Sequence, residues 1–481
     1  MKRIVFSLMC VLFFVTAGAQ TMTKTVTLEN KKVNNGQVSD IRYLAEEDGL
    51  MIAVTNDYSI VLGSYMKRCI MALAIDKDMN VVRSVEIPES KRSKILATSY
   101  FEGNIYILTS HKDRNGTIYE RFVVDSRNMQ MVGEPKTIFT YNKERKDDDY
   151  VWASQSPNKT LTGLIHITTN RKSDKFEAVE ILLDEEMNIE WQREYPIYSL
   201  SNMFVTDDGE LITIGRSSGS AASIYISVVN EANAYDISAE TPIYIDDVRL
   251  VSIKNGKILG LGYGSTEENI AYFGISANIK TQETHFDYKT ISDVDRNVFA
   301  NKDQGKKSKS PSVDRILLKH SQATDFGAVA TIQNRWVVEV CDQNGACRVT
   351  SYQEGVLIFG VDVDGNITWH HAIRSSLKQK GFPTLIANAV CVEGDDVYFI
   401  QSEKPNWPAT YTLTKKLSTF KVNGGSKTLG VYHIGPNGSI AKSMETLDKS
   451  TIMTEKTIKS GDSHIGFLST GRGASMIKMK F

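Results

Sequence analysis

Beyond its N-terminal segment this chain has no apolar run long enough to cross a bilayer as a helix, and almost none of the i, i+3, i+4 apolar spacing of amphipathic helices. Those absences exclude a helical membrane protein and a helix bundle. An excess of either charge is missing too: 56 basic residues stand against 57 acidic ones, a formal net charge of −1. Such a balance gives no general attraction for nucleic acid or an anionic membrane. Cysteine is scarce, at five in 481 residues, and the eight histidines fall at no metal-ligand spacing. His370 and His371 are adjacent in a strand pattern and so face opposite sides. Gly215-Arg216-Ser217-Ser218-Gly219 has the G-x-S-x-G spacing but lies between two strands, whereas that motif requires a strand-to-helix elbow. Asp147-Asp148-Asp149 lacks the glycine of a calcium loop and reads as a solvated turn. No catalytic residue, metal ligand or cofactor is assigned from spacing.

What is present begins with a leader. Lys2 and Arg3 precede an apolar run from Ile4 to about Ala17, followed by the small residues Ala17-Gly18-Ala19 and then Gln20. This is the pattern of a secretory signal peptide over residues 1–19, and it predicts an exported chain, periplasmic, extracellular or outer-membrane associated. The Ala-Gln ending resembles the signals of exported Bacteroidota proteins.

The remaining chain, 20–481, is organised by one recurring turn. Ile75-Asp76-Lys77-Asp78-Met79-Asn80-Val81 returns as Leu183-Asp184-Glu185-Glu186-Met187-Asn188-Ile189 and as Val361-Asp362-Val363-Asp364-Gly365-Asn366-Ile367. Each copy joins two alternating apolar runs, which is a hairpin signal. Around these turns the sequence divides into short strands: 50–54, 59–64, 69–75 and 81–87 in a first unit, then similar fours over 95–139, 150–197, 203–243 and 248–288. A polar, Lys-rich insertion at about 290–312 interrupts the rhythm and predicts a mobile surface loop. Two further units follow. Strands at 451–458, 464–469 and 474–481 then lack a fourth, which the N-terminal run 25–29 supplies.

These units predict an all-β fold, a single β-propeller domain of four-stranded blades closed by the N-terminal strand. Eight blades fit best, at roughly 58 residues each against a usual spacing of about 40–50. Seven is the alternative. The spacings Gly365 to Trp369 and Met187 to Trp191 are similar to the blade turns of quinone-cofactor-type propellers, in which a Trp docks on the neighbouring blade. No cofactor pattern accompanies them.

Cys341 and Cys347 flank a turn-rich loop between two strands, and in an oxidising compartment they are expected to form a disulfide. Cys69 and Cys391 read as buried small hydrophobes.

In a four-stranded meander the first and third turns open on one side of the ring, and the second turns and blade crossings on the other. Here the first and third turns are tight, so the long loops share one face. Basic residues recur in those loops: Lys67, Arg68, Lys112, Arg114, Arg171, Lys172 and Arg216. The longest holds Lys404-Pro405-Asn406-Trp407-Pro408 with Tyr411. A proline-flanked Trp beside cations suits a sugar ring carrying carboxylates or sulfates, or a protein partner. The leading expectation is a non-catalytic, monomeric propeller that binds a glycan or an envelope protein through this face. A lyase or hydrolase acting on an anionic polysaccharide, with acid and base residues on inner strands, and a structural envelope component are the alternatives.

Overall fold

The computed structural model describes residues 29–34, 37–61, 65–76, 80–88, 93–113, 116–142, 149–168, 176–216, 223–254, 256–300, 315–341, 347–380, 388–404, 406–407, 420–421, 426–460, 463–469 and 474–481. The signal segment, Arg114, Arg171, Lys172, Tyr411 and the insertion from residue 301 to 314 lie outside these, and so do Ser217 to Gly219 of the G-x-S-x-G match.

The chain is a β-propeller. Its strands form seven sheets of antiparallel meanders, with one short parallel addition, Phe420–Lys421, in the sixth. Each sheet opens with an inner strand: Gln37–Glu47, Lys94–Phe101, Asp149–Gln155, Ser199–Val205, Tyr244–Lys254, Ile316–Ala323 and Asn388–Glu393. Consecutive inner strands pack side by side, and strand Ile440–Ser460 completes the circle between Asn388–Glu393 and Gln37–Glu47. Seven is the lower of the two expected blade numbers. The strands expected to build an eighth blade are present in the last sheet. Ile440–Ser460 runs unbroken from one four-stranded unit into the next, so both belong to one sheet of seven strands. Glu29–Asn34 pairs antiparallel with Ala474–Met479 and closes that sheet, a little later in the chain than the 25–29 segment read from sequence.

The sequence assignments need correction at three places. The first sheet does not divide at Asn56-Asp57, because both residues are paired inside the single strand Leu50–Val61. Its inner strand Gln37–Glu47 was missed, since charged residues and two β-bulges break its period-two pattern. In the sixth sheet the cysteine hairpin is no separate element. It is the outer half of two long strands, Gly327–Cys341 and Cys347–Asp362. The start of the 290–312 insertion is also ordered as a helix, Asp293–Phe299. Ser292 caps it by accepting from the Asp295 amide, and Val298 and Phe299 bury its end.

The repeated turns show why the sheets lock together. In each described copy the Asp carboxylate accepts from the Asn four residues on. Asn188 donates its backbone N at 2.7 Å and its Nδ2 at 3.0 Å to Asp184, and Asn366 does so to Asp362 at 2.9 and 3.0 Å. Asp76 and Asn80 repeat the pair at 2.7 and 2.9 Å. The fourth turn residue is left-handed, Gly365 at φ 92° and Met187 at φ 61°. Glycine takes that conformation freely, whereas Met187 is held there with its side chain fully buried.

The turns of the third, fourth, sixth and seventh sheets are gripped by the preceding sheet. Arg121 Nη1 donates to Glu186 O at 2.6 Å and to Asn188 Oδ1 at 2.8 Å. Arg193 reaches Asn230 O and Glu231 O, Ser276 Oγ donates to Asp364 O at 2.7 Å, and His371 Nε2 donates to Gly438 O at 2.7 Å. Trp369 packs among residues of the seventh sheet, including Val390 and Phe399, and its ring lies where a side chain at Gly360 would have to stand.

Candidate functional site

The inner strands carry β-bulges, and three arginines read them. Bulges fall between Ile95 and Ala97, Ile245 and Asp247, and Leu318 and His320. Arg42 Nη1 donates to Leu96 O at 2.8 Å, Arg216 Nη1 to Ile245 O at 2.5 Å, and Arg249 Nη2 to Leu318 O at 2.8 Å. A bulge turns a carbonyl out of the ladder, and a buried carbonyl needs a donor. The neighbouring sheet supplies one. Arg216 is therefore a latch between the fourth and fifth sheets as well as an exposed cation.

The long-loop face contains a cleft of about 620 Å³ among the first three sheets. Arg42 comes from the first inner strand, Lys94 to Leu96 from the second, and Ser110 to Lys112 and Thr117 from the strands beside it. Tyr150 and Trp152, on the third inner strand, form the remaining wall with Val151 and Ala153. Alternate residues share a face of a strand. Val151 and Ala153 pack on the core cluster of the second and third sheets, while Tyr150 and Trp152 are 53% and 39% exposed. Lys94 and Lys112 are exposed, and His111 Nδ1 lies 3.4 Å from the Glu120 carboxylate. The cleft thus combines two large aromatic faces with several cations, the chemistry that stacks on a ring and pairs with an anion.

The expected site residues distribute unevenly. Lys112 lines this cleft. Lys67 and Arg68 are not in a loop: they sit inside strand Tyr65–Ile75, opposite Ser59 and Tyr58. Lys404 is half-buried, and its carbonyl accepts from the Trp407 amide at 2.8 Å. Trp407 is only 5% exposed and so presents no open stacking platform. Its indole is drawn inside, as the burial of so large an apolar surface favours. Tyr150 and Trp152 were missed as site residues, although the alternation Tyr150-Val151-Trp152-Ala153 within a strand carried the signal.

A second group stands on the fifth inner strand. Asp246 and Asp247 follow one another at a bulge, between the guanidiniums of Arg216 and Arg249. Burial raises both carboxyls above the ordinary range, opposed by Arg216 at Asp246 and chiefly by Arg249 at Asp247. At the end of strand Asp396–Glu403, Lys442 Nζ and Glu403 Oε2 form a buried pair at 2.6 Å, and Tyr432 OH donates to Glu403 Oε1 at 2.6 Å. Among the described residues no group of three or more His, Cys, Asp or Glu could hold a metal ion, and no helix is long and apolar enough to cross a membrane.

No protein-family model and no curated relative matches the chain. Solved structures similar to it include the WD40 domain of SCAP from fission yeast, at 7% identity and TM-score 0.42, covering 95% of this chain and 99% of that one. Prolyl oligopeptidase B from Galerina marginata gives 10% and 0.39, over 90% of this chain and 55% of that one. The β-propeller domain of the Trilobed protease from Pyrococcus furiosus gives 10% and 0.32, over 81% and 93%. Likenesses this distant carry no functional argument, and the propeller assignment rests on strand order and on the closed circle of inner strands.

Proposed function

We propose that this protein is an exported, non-catalytic β-propeller that binds an acidic oligosaccharide in the long-loop cleft of its first three sheets. The observation that carries this reading is a cleft lined by exposed Tyr150 and Trp152 together with Arg42, Lys94 and Lys112. Aromatic faces stack on the apolar side of a sugar ring, and ammonium and guanidinium groups meet its carboxylates or sulfates. Export is supported by the basic, apolar and small-residue pattern of residues 1–19.

A thermal-shift comparison of residues 20–481 with uronic-acid and neutral hexose oligomers, at low and moderate salt, tests the reading. A ligand at a hundred times its dissociation constant adds about 2.7 kcal/mol to native stability. The expected result is a rise with the uronic-acid oligomer that shrinks as salt increases. Equal shifts with both sugars, or none, would contradict it.

One observation favours a second reading. The adjacent Asp246 and Asp247 on an inner strand, with raised carboxyls beside two arginines, have the makings of an acid and base pair for cleaving an anionic polysaccharide. Release of new chain ends from a polyuronate, abolished by Asp246→Asn or Asp247→Asn, would establish it in place of pure binding.

A further inference from the structure

The face of the ring where the tight turns gather holds a second, larger cleft, of about 1170 Å³, among the third, fourth and fifth sheets. The first turns of these three sheets and the third turns of the fourth and fifth line it, all of them through described residues. Its charge reverses that of the sugar cleft. Glu190, Asp207, Asp208, Glu210 and Glu231 line it, and Lys280 is the only cation among its lining residues. Four of these carboxylates are exposed and Glu210 is half-buried.

Acidic turn residues by themselves are ordinarily solvated. Here they share the cleft with apolar side chains that the fold leaves partly open. Leu161 and Trp191 pack against the core of the third and fourth sheets, and Phe204, Tyr235 and Ile279 against that of the fourth and fifth, and none of the five is fully buried. Tyr235 OH donates to Ile279 O at 3.2 Å, and burial and then the Glu210 carboxylate hold that hydroxyl above its ordinary pKa, so carboxylate and ring are neighbours. Apolar surface left open among charged groups is the pattern of a protein contact site. An acidic sugar would be repelled from this cleft. Among the described residues no three acids are placed to hold a metal ion.

We propose that the cleft docks an arginine- or lysine-rich segment of a partner protein. The methylene stems of such a segment cover Trp191, Phe204 and Tyr235, and its cationic heads meet the carboxylates of Asp208, Glu210 and Glu231. Arginine suits it best, since a guanidinium both stacks on an aromatic ring and pairs with a carboxylate. This docking surface does not rest on the sugar reading, whose cleft opens on the other face.

Fluorescence anisotropy of labelled octa-arginine titrated with residues 20–481 tests it. Saturable binding is expected, weaker as salt rises, and reduced at least roughly tenfold by Asp208→Lys combined with Glu231→Lys. Both positions are exposed turn residues, so the thermal melt of that variant is expected to stay that of a folded propeller. Glu102→Lys combined with Glu134→Lys reverses the same amount of charge at exposed positions of the second sheet and is expected to bind nearly as tightly as wild type. Absence of saturable binding would overturn the proposal, and so would undiminished binding by the cleft variant or an equal loss in both.

Discussion

Among the described residues neither oxygen of the Glu180 carboxylate has a hydrogen-bond partner, and the side chain is fully buried. Burial pushes its pKa from 4.5 to about 8, against the opposing pull of Arg193 and with a further push from Asp236. Between those two pH values the unfolded chain has lost this proton while the native state keeps it. Native stability from this group therefore falls as pH rises through the window, by about 1.4 kcal/mol per pH unit. Glu180→Gln is neutral at every pH. Its melting temperature is expected to gain on wild type steadily from pH 5 to pH 8, and a constant offset across that range would show that Glu180 is not protonated in the fold. The same scale explains part of the basic content. Arg42, Arg216 and Arg249 each donate to a bulged carbonyl of the next sheet, a role their sequence neighbourhood does not announce.

At the scale of the element, the Asp-x-x-x-Asn turn is the unit that repeats. Asp362 accepts from the Asp364 amide as well as from Asn366, at 3.0 Å. Asp362→Ala removes these bonds and leaves the turn's amides without a local acceptor, at an expected cost of about 1–2 kcal/mol, read as a lower urea midpoint with unchanged slope. A midpoint equal to wild type would show that the grip of the fifth sheet alone sets the turn. The cysteine hairpin gives a second check: alkylation of the denatured, unreduced mature chain is expected to label two thiols, and labelling of four would exclude the bridge.

These turns are also where the fold was legible from sequence. Their spacing is local, so Asp, Asn and Gly mark them directly, and the strands between keep period two. Bulged inner strands were harder: Gln37–Glu47, with two bulges and several charges, was missed, and Tyr244–Lys254, also with two bulges, was read only from residue 248. The cleft was less visible still. Turn lengths pointed to its face and Lys112 lines it, but Trp407 is buried while Tyr150 stands exposed. Which of two aromatics is buried depends on what packs above each, and that is a property of distant strands.

For the whole molecule, closure is the condition of stability. Glu29–Asn34 covers the outer edge of strand Ala474–Met479, at the far side of the last sheet. Deleting residues 20–36 exposes that edge and is expected to lower the melting temperature and produce aggregation on concentration. A deletion variant as stable and soluble as wild type would place closure elsewhere. The ring also sets the cleft, because consecutive inner strands packed side by side bring Arg42, Lys94 and Tyr150 of three sheets to one place.

Calorimetric titration of a uronic-acid oligomer into residues 20–481 and into Trp152→Ala tests the central claim most directly. Saturable, salt-sensitive binding to the wild type, weakened at least roughly tenfold by the substitution, or about 1.4 kcal/mol, is the predicted result. Binding of equal strength to both proteins would contradict it.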